Sequence, residues 1–387
     1  MKIIIIGNGV AGISAAEAIR SKDKNSELII YTDEKYYYYS RPRIIEYLSG
    51  KVAVDKIIIR KEDFYKQNNI KIFLNTKLIK IETQNKKITL ENGDEDNYDK
   101  LIIAAGAYSF LPPVEGANNE GVFTLRNIDD ADKIISFAKN KATAVVIGGG
   151  LLGIEAAMSL KISGLDVTIV EVFDRLLPRQ LDNDGAKILQ TMLEEKELKF
   201  LLARQISKIE KTNNQLKINF KDNTSISADI ILFSAGIRCN LKIVENSGIE
   251  YDKGIKVNEY MQTNIPDIYA AGDIAEYKGV VYGIWPAAKE QGQIAGLNAI
   301  GEKTEYKGSV ISTKLKVAGI DLASIGNIEK KDDMQIYTKQ DKGVFKRVFM
   351  KDRKLIGAIL IGDTTQYQNL QEIIKLQKEI DKPEEII

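Results

Sequence analysis

GNGVAG at residues 7–12 and GGGLLG at residues 148–153 decide the fold of this 387-residue chain. Each Gly-x-Gly-x-x-Gly follows a short apolar run and precedes a helical pattern, which predicts a strand–turn–helix unit. The glycines let the turn close, let a phosphate approach the backbone and let the helix pack against the strand. Because helix N-terminal amides can hold a pyrophosphate, two copies predict a chain that holds two dinucleotides and passes electrons between them.

An acidic residue ends the second strand of each unit, where the ribose of a dinucleotide is expected. Asp33 follows the strand after the first fingerprint, and Glu171 follows the strand after the second. A carboxylate there accepts hydrogen bonds from a ribose hydroxyl and repels a 2′-phosphate. Glu171 therefore favours NADH over NADPH, although the nearby Arg175 is able to bind a 2′-phosphate.

The overall charge gives no reason to expect nucleic acid or an acidic membrane as a partner, because 55 Lys+Arg balance 54 Asp+Glu. No apolar run approaches the ~20 residues of a membrane span. The chain enters a predicted buried strand within two residues of Met1, so we expect no signal peptide and a cytoplasmic protein.

The chain has no histidine and one cysteine, Cys239. It therefore has no dithiol redox pair, no imidazole acid or base, and no metal site built on Cys or His. The chemistry must come mainly from bound cofactors, with the protein supplying position and electrostatics. We do not expect Cys239 to be a redox thiol, since it lies in a predicted interdomain linker.

The remaining patterns predict an α/β fold. Alternation of apolar and polar residues over 57–91 predicts strands. Ile284-Trp285-Pro286 begins a predicted helix that runs to Ile300, with Trp285 as a packing residue and the tyrosines at 36–39 as loop packing. Strands and a helix after residue 312 predict a small α+β domain, and residues 381–385 are expected to form a frayed tail.

In this order the motifs resemble the two-dinucleotide-domain flavoprotein disulfide reductase superfamily across essentially the whole chain. There the first fingerprint binds FAD and the second binds NAD(P)H. Tyr269-Ala-Ala-Gly-Asp273 is similar to the second flavin motif of the superfamily, and Arg238-Cys239-Asn240 to its linker, with cysteine in place of the usual proline. Glu155 matches a glutamate that in the superfamily lies close to the flavin–nicotinamide stack.

The resemblance implies two Rossmann-like dinucleotide-binding domains (three-layer ββα) and a C-terminal α+β domain. The implied domains are an FAD-binding domain over 1–108 and 237–308, an NAD-binding domain over 109–236, and a C-terminal domain over 309–387. The implied FAD-site residues are Gly7, Gly9, Val10, Ala11, Gly12, Asp33, Glu34, Arg41, Arg43, Lys77, Leu78, Ala105, Gly106, Asp273, Trp285 and Lys314. The implied NAD-site residues are Gly148, Gly150, Leu151, Leu152, Gly153, Glu155, Glu171 and Gly236.

The loop Tyr39–Arg43 narrows the resemblance, because peroxidases, water-forming NADH oxidases and coenzyme A disulfide reductases carry a redox cysteine in this loop and the chain has none. Tyr39-Ser40-Arg41-Pro42 and the segment Ser312–Asp321 are instead similar to rubredoxin reductases and to the N-terminal part of assimilatory nitrite reductases. We expect no iron–sulfur or siroheme module.

This resemblance implies that a hydride passes from NADH to flavin, with no catalytic residue beyond the flavin except Glu155 near the nicotinamide and Lys314 near the flavin. Single electrons then pass to rubredoxin or a similar small acidic iron protein, which serves oxygen or peroxide detoxification. Open alternatives are an NADH oxidase or diaphorase, a ferredoxin reductase, and a redox-sensing flavoprotein with little turnover. We expect a monomer or homodimer. The basic rim expected to dock the acceptor comprises Arg43, Lys289, Lys307, Lys314 and Lys316.

Overall fold

The computed structural model of the chain describes residues 1–212, 215–309, 312–317 and 319–387. Ala318, which lies in the segment similar to rubredoxin reductases, is outside the described residues. Within the described residues the helices are α1 (Val10–Lys22), α2 (Ile44–Leu48), α3 (Glu62–Gln67), α4 (Ile128–Ala138), α5 (Leu151–Ile162), α6 (Asn183–Glu194), α7 (Trp285–Ala299) and α8 (Tyr367–Leu376). Short 3₁₀ turns span Arg41–Arg43, Val54–Lys56, Leu241–Val244 and Pro383–Ile386.

The strands of the same described residues fall into seven sheets. Up to the linker they are β1 (Lys2–Ile6), β2 (Glu27–Tyr31), β3 (Ile70–Phe73), β4 (Leu78–Glu82), β5 (Lys87–Leu90), β6 (Glu95–Asn97), β7 (Lys100–Ile103), β8 (Ala107–Ser109), β9 (Val122–Thr124), β10 (Thr143–Ile147), β11 (Asp166–Val170), β12 (Lys199–Leu201), β13 (Ile206–Thr212), β14 (Gln215–Phe220), β15 (Ser225–Ala228) and β16 (Ile230–Phe233). The later strands are β17 (Ile237–Cys239), β18 (Ile255–Val257), β19 (Ile268–Ala270), β20 (Ala275–Tyr277), β21 (Ser312–Val317), β22 (Ile320–Gly326), β23 (Gln335–Asp341), β24 (Val344–Lys351) and β25 (Lys354–Ile361).

The first of two compact units comprises Met1–Arg43, Ala53–Tyr108 and Ile237–Ser309. Its main sheet has the order β19-β7-β1-β2-β3, with every pair parallel. The apolar run of β1 is buried on both faces, as expected for a central parallel strand. Helices α1 and α7 pack side by side and run parallel, because Gly292 and Gly296 bring α7 against the backbone of Ala11 and Ala15. A β4-β5-β6 sheet completes the unit together with short strand pairs.

The second unit comprises Ile44–Val52, Ser109–Gly236 and Val310–Ile387. It has a parallel sheet of order β12-β11-β10-β16-β9, an antiparallel β13-β14-β15 sheet, and an antiparallel C-terminal sheet of order β21-β22-β25-β24-β23. Arg347 on β24 joins the C-terminal sheet to α6, because its guanidinium pairs with Asp182 and, at 3.0 Å, with Asp184.

The predicted fold class is confirmed: two parallel α/β sheets each carry a glycine-rich strand–helix turn, and an α+β segment follows. The domain bounds stay a prediction. They differ from the compact units, which place the C-terminal segment and residues 44–52 with the second fingerprint.

Two local predictions are wrong. Residues 57–91 are not strands throughout, because α3 lies within them. Acidic residues occupy its first turn, and Tyr65 buries its ring against Phe64 and Tyr37. The tail is not frayed: Pro383–Ile386 form a 3₁₀ turn, and Ile387 packs into the core of the C-terminal sheet. A terminal residue stays ordered when it buries apolar surface in this way.

Candidate dinucleotide sites

The first candidate site lies at the carboxyl edge of the first parallel sheet. Because the strands are parallel, the turns that follow β1, β2, β7 and β19 emerge at the same edge. These turns carry the first fingerprint, residues 32–34, residues 104–106 and residues 271–273. The fold therefore brings the predicted FAD-site glycines, Ala105, Gly106 and Asp273 to one edge from segments that are far apart in sequence.

Each glycine of the first fingerprint meets a different steric demand. Gly7 has a φ of +102°, and a Cβ there would lie 2.4 Å from the carbonyl oxygen of Ala104. A Cβ on Gly12 would lie 1.9 Å from the carbonyl oxygen of Gly7. A Cβ on Gly9 would meet no atom within 4 Å. Gly7 and Gly12 are thus needed by the protein itself, whereas the space beside Gly9 is open for a ligand.

The N-terminus of α1 supplies hydrogen-bond donors to that space. Gly9 caps the helix without a side-chain hydrogen bond. The amides of Val10, Ala11 and Gly12 have no hydrogen-bond partner among the described residues. Such amides, together with the helix dipole, favour a negatively charged group. The open space and the unused donors fit a pyrophosphate.

Asp273 reaches this site through close backbone packing. Gly272 has a φ of +84°, and a Cβ there would lie 2.8 Å from the Cβ of Ala11. The amide of Gly272 donates to Gln291 Oε1 at 2.9 Å, and the Cys239 thiol donates to the Asp273 carbonyl at 3.0 Å. The linker cysteine therefore has a structural contact at the turn that carries Asp273.

The N-terminus of α7 projects beyond that of α1. Ala11 faces Gly292, so Val10 is level with Gln291, and α7 begins six residues earlier at Trp285. Six helical residues correspond to about 9 Å. The Trp285 side chain is 42% exposed, so its interpretation as a packing residue is wrong.

Charged residues of the loop after β2 are arranged as local pairs. Glu34 accepts a hydrogen bond from the Tyr39 hydroxyl at 2.5 Å and forms an ion pair with Arg41. Burial by itself lowers the pKa of the Arg41 guanidinium. The charges of Tyr39, Glu34 and Asp273 outweigh burial, so the pKa of Arg41 is raised overall. The Asp33 side chain is exposed, and desolvation of its carboxyl together with the charge of Glu34 raises the pKa of that group.

Three of the predicted FAD-site residues make other contacts within the first unit. Arg43 donates to the carbonyl of Lys56 at 2.6 Å. The ammonium of Lys77 lies 3.5 Å from the Glu91 carboxylate. Leu78 is buried in the core of the unit at the start of β4. These contacts hold the β2 loop and the β4-β5-β6 sheet in place.

The second candidate site repeats the glycine geometry. Gly148 has a φ of +119°, with a Cβ position 2.3 Å from the carbonyl oxygen of Ser234. A Cβ on Gly153 would lie 2.0 Å from the carbonyl oxygen of Gly148, whereas one on Gly150 would meet no atom within 4 Å. The amides of Leu151, Leu152 and Gly153 have no partner among the described residues. This edge therefore also fits a pyrophosphate, and Gly236 follows the neighbouring strand β16 with a φ of +91°.

Glu171 directly follows β11, and its carboxylate holds the second glycine-rich loop, residues 148–153, in place. One carboxylate oxygen accepts from the Gly149 amide at 2.6 Å, and the other accepts from the Phe173 amide at 3.0 Å. The guanidinium of Arg175, the residue named above as able to bind a 2′-phosphate, lies 3.1 Å from the Asp174 carboxylate. An ionised carboxylate has about four acceptor positions, so Glu171 retains capacity for a ribose hydroxyl.

Glu155 and Lys314 both belong to the second unit. Glu155 is half-buried on α5, and burial raises the pKa of its carboxyl to about 7. Lys314, on β21, places its ammonium 5.5 Å from the centre of the Tyr367 ring. It lines a recess of about 540 Å³ with Asp321 and residues 362–365.

Sequence reasoning missed Asn8 and Tyr65. Asn8, the second residue of the first fingerprint, is 8% exposed, and its Oδ1 accepts from the Tyr65 hydroxyl at 3.0 Å. The two residues are 57 positions apart, so no local pattern indicates their contact.

A metal site and a membrane-spanning helix are both absent from the part of the chain that the structure describes. No group of three or more His, Cys, Asp or Glu residues is arranged to hold a metal ion. No helix there is long and apolar enough to cross a membrane.

Comparison with known families gives two matches. Residues 1–292 match the family described as pyridine nucleotide-disulphide oxidoreductase. Residues 312–378 match the rubredoxin NAD+ reductase C-terminal domain.

Several relatives align with nearly the whole chain. The nitrite reductase [NAD(P)H] of Bacillus subtilis is 36% identical over 100% of this chain, which spans only 48% of that protein. The NADH-rubredoxin oxidoreductase of Clostridium acetobutylicum is 36% identical, with 98% of this chain and 96% of that protein covered. Its crystal structure superposes with a TM-score of 0.84 at 34% identity, covering 99% and 97% of the two chains. The NADH oxidase of Methanocaldococcus jannaschii is 32% identical over 94% of this chain and 88% of that protein.

Proposed function

Because this chain belongs to the pyridine nucleotide-disulphide oxidoreductase family, we propose that it is an NADH-dependent flavoprotein that passes single electrons to rubredoxin. The observation that supports rubredoxin as the electron acceptor is the match of residues 312–378 to the C-terminal domain of rubredoxin reductases. The similarity to the clostridial enzyme over 96% of its length supports the same acceptor.

FAD and NAD(H) are the two dinucleotides of this family. We assign FAD to the first unit and NADH to the second unit. The α1 amides would hold the FAD pyrophosphate, with Asp273 beside it and the α7 N-terminus about 9 Å further along. A bound FAD would supply two-electron uptake from a nicotinamide and one-electron release to an iron carrier. The chain's own residues bind and orient the two dinucleotides, and its lack of histidine is no obstacle to transfer between stacked rings.

Glu171 would select NADH. Its carboxylate is buried at the loop and already holds the Gly149 and Phe173 amides, so it is fixed in position before the nucleotide arrives. A ribose hydroxyl can donate to it, whereas a 2′-phosphate would bring a second negative charge against it. Arg175 is partly neutralised by Asp174, which weakens the competing preference for NADPH.

Trp285 and Lys289 would form part of the acceptor-docking rim. The Trp285 indole is exposed, and the Lys289 ammonium lies 5.6 Å from the centre of its ring. An exposed aromatic ring with an adjacent cation suits a small acidic protein. Arg43 and Lys307 of the same unit remain proposed members of the rim, and the roles of Lys314 and Lys316, which belong to the second unit, stay a prediction.

Stopped-flow measurement of the two half-reactions tests this function. We expect reduction of rubredoxin by the NADH-reduced protein to slow steeply between 0.1 M and 1 M salt, as the Debye length falls from about 10 Å to about 3 Å. Reduction of the flavin by NADH should change little, because it involves no charged partner protein.

Lys289→Ala should slow reduction of rubredoxin several-fold at low salt, by loss of steering. Lys24→Ala is the matched control: Lys24 is exposed but lies at the amino edge of the first sheet, between α1 and β2. Equal salt dependence of both half-reactions, or equal effects of both variants, would contradict the docking rim.

A direct NADH oxidase is the second candidate, because the archaeal relative of that name aligns with most of this chain. Mixing the NADH-reduced protein with air-saturated buffer, and separately with anaerobic rubredoxin, distinguishes the two. Faster reoxidation by oxygen than by rubredoxin would favour the oxidase.

A further inference from the structure

The two glycine-rich loops occupy equivalent places in their sheets, which allows their residues to be compared directly. The Gly7 amide donates to the Tyr31 carbonyl, and the Gly148 amide donates to the Val170 carbonyl. The next residue in each case, Thr32 or Glu171, donates its amide to the following parallel strand. Thr32 therefore occupies in the first unit the position that Glu171 occupies in the second.

The first loop lacks the carboxylate that fastens the second. Glu171 accepts from the amide of the middle residue, Gly149, at 2.6 Å. Among the described residues the Thr32 hydroxyl forms no such bond with the first loop, and it instead accepts from the Glu34 amide at 3.4 Å. The first loop must be held in some other way.

Tyr65 provides that hold. Its side chain is 1% exposed, and its hydroxyl donates to Oδ1 of Asn8, the middle residue of the first loop, at 3.0 Å. The same hydroxyl accepts from the Tyr38 amide at 3.2 Å. One oxygen atom thus joins α3, the loop after β2 and the first fingerprint.

We propose that Tyr65 is a positioning residue for FAD, which acts by holding Asn8 and so fixing the Gly7–Gly12 loop before the pyrophosphate binds. The inference rests on the proposed placement of the FAD pyrophosphate at that loop. A loop that is fixed in advance loses less conformational entropy on binding, which increases affinity without any contact between Tyr65 and the ligand.

Removal of the hydroxyl leaves buried groups without partners. Tyr65→Phe would deprive both the Asn8 Oδ1 and the Tyr38 amide of their hydrogen bonds. The Asn8 Nδ2 is already buried without a partner among the described residues, so little else fixes that side chain. The loop is then free to relax and must be reordered when FAD binds.

The test is the dissociation constant of FAD, measured by flavin fluorescence on the full chain after FAD removal. We expect Tyr65→Phe to weaken FAD affinity about tenfold, the cost of ordering roughly one loop residue when FAD binds. Tyr98→Phe is the matched control, because Tyr98 is also buried in the first unit and its hydroxyl has no partner among the described residues. It should leave the affinity within about twofold.

Asn8→Ala removes the other side of the contact and remains informative if Tyr65→Phe folds poorly. Combined with Tyr65→Phe it should weaken FAD affinity little beyond either change alone, since both break one interaction. Burial raises the pKa of Tyr65 to about 12, so its effect on affinity should be constant between pH 6 and about pH 9.

The outcomes separate this inference from the placement of FAD. Loss of affinity in Gly9→Ala with unchanged affinity in Tyr65→Phe would overturn the role of Tyr65 and leave the placement intact. Unchanged affinity in Gly9→Ala would overturn the placement itself. An equal fall in the melting temperatures of the FAD-free and FAD-bound forms of Tyr65→Phe, at constant affinity, would show that Tyr65 is only structural.

Discussion

The two dinucleotide loops share the same three glycines but are fastened by different chemistry. Gly7 and Gly148 both have a positive φ, and Gly12 and Gly153 approach a backbone carbonyl oxygen in the same way. The second loop is closed by the Glu171 carboxylate, whereas the first is closed by a tyrosine hydroxyl acting on an asparagine. The fingerprint therefore specifies the turn and the helix packing, and the residues that hold the loop are supplied by the surrounding unit.

The middle residue shows why the two solutions cannot be exchanged. A Cβ on Gly149 would lie 2.7 Å from the Leu176 side chain and 3.2 Å from Glu171 Oε2. The equivalent residue of the first loop, Asn8, has a side chain that is buried, and Thr32 occupies the position of Glu171 there. A side chain in the middle of the second loop would therefore collide with Leu176 and crowd the Glu171 carboxylate, so that loop requires glycine there.

The largest effect is expected for the third glycine of each loop. Gly12→Ala and Gly153→Ala would each place a methyl group about 2 Å from a backbone carbonyl oxygen that cannot rotate away. Overpacking of this kind costs on the order of 3 kcal/mol of unfolding free energy. Thermal unfolding and FAD content are the measurements.

The comparison predicts that Gly12→Ala loses FAD while Gly153→Ala retains FAD and loses NADH binding. Loss of both dinucleotides in each variant would show that the two loops do not act independently.

The next largest effect is expected for Gly9→Ala and Gly150→Ala. These variants test whether a dinucleotide occupies the open space beside each glycine, and they do not disturb the protein itself. Both glycines have a φ of −78° and open space at the Cβ position. Alanine there should leave the FAD-free protein as stable or raise its unfolding free energy by about 0.4–1 kcal/mol. The methyl group should nevertheless weaken the binding of the corresponding dinucleotide at least about tenfold, because it fills the space through which a phosphate approaches the backbone.

Calorimetric titration with FAD and with NADH checks this pair of variants. A fall in stability at unchanged affinity would mean that the open space is not the phosphate site.

A smaller effect is expected from changing Glu171, whose carboxylate holds the second loop through the Gly149 and Phe173 amides. Glu171→Gln replaces one acceptor oxygen by an amino group, so one of the two backbone amides loses its partner at a cost of about 1–3 kcal/mol. Removal of the charge should also narrow the ratio of kcat/KM between NADH and NADPH. Thr32→Val is the control at the equivalent position of the first loop, and it should alter FAD affinity by less than about twofold.

Steady-state kinetics with both nucleotides checks this prediction. If the unaltered protein already uses NADH and NADPH equally well, Arg175 rather than Glu171 governs the choice.

The smallest expected effect is a dependence of protein stability on pH, which arises from a residue of α5 that has no ionisable counterpart in α1. Two residues after the third glycine, α5 has Glu155 and α1 has the buried, uncharged Ser14. Burial raises the pKa of Glu155 from 4.5 to about 7. Between these two values the folded state keeps the proton that the unfolded state releases, so stability falls as pH rises through this window.

Glu155→Gln should therefore raise the melting temperature at pH 8 relative to the unaltered protein and change it little at pH 4. Ser14→Ala should show no such dependence on pH. A pH-independent difference between Glu155→Gln and the unaltered protein would contradict a buried, titrating carboxyl group.

The sequence predicted those features that depend on short spacing. The glycines, the strands before them and the acidic residue after β11 follow from local patterns, and the structure places the glycines as expected. Helix α3 was missed because its apolar residues also fit the alternation of a strand, and only the contact of Tyr65 with Tyr37 and Phe64 shows which side is buried. Trp285 was misjudged because an aromatic residue at a helix start is normally buried, whereas here the α7 N-terminus projects beyond its neighbour.

The sequence by itself determined the turns, since a positive φ or a Cβ position inside a neighbouring carbonyl admits only glycine. It also determined the two parallel sheets, because each fingerprint must follow a buried strand and precede a helix. Only the tertiary structure decided what holds each loop. Tyr65 lies 57 residues from Asn8 and Glu171 lies 22 residues from Gly149. The Glu171 contact exists because parallel strands end at a common edge, whereas the Tyr65 contact depends on where helix α3 packs. Such contacts depend on where whole elements pack, which no local spacing encodes.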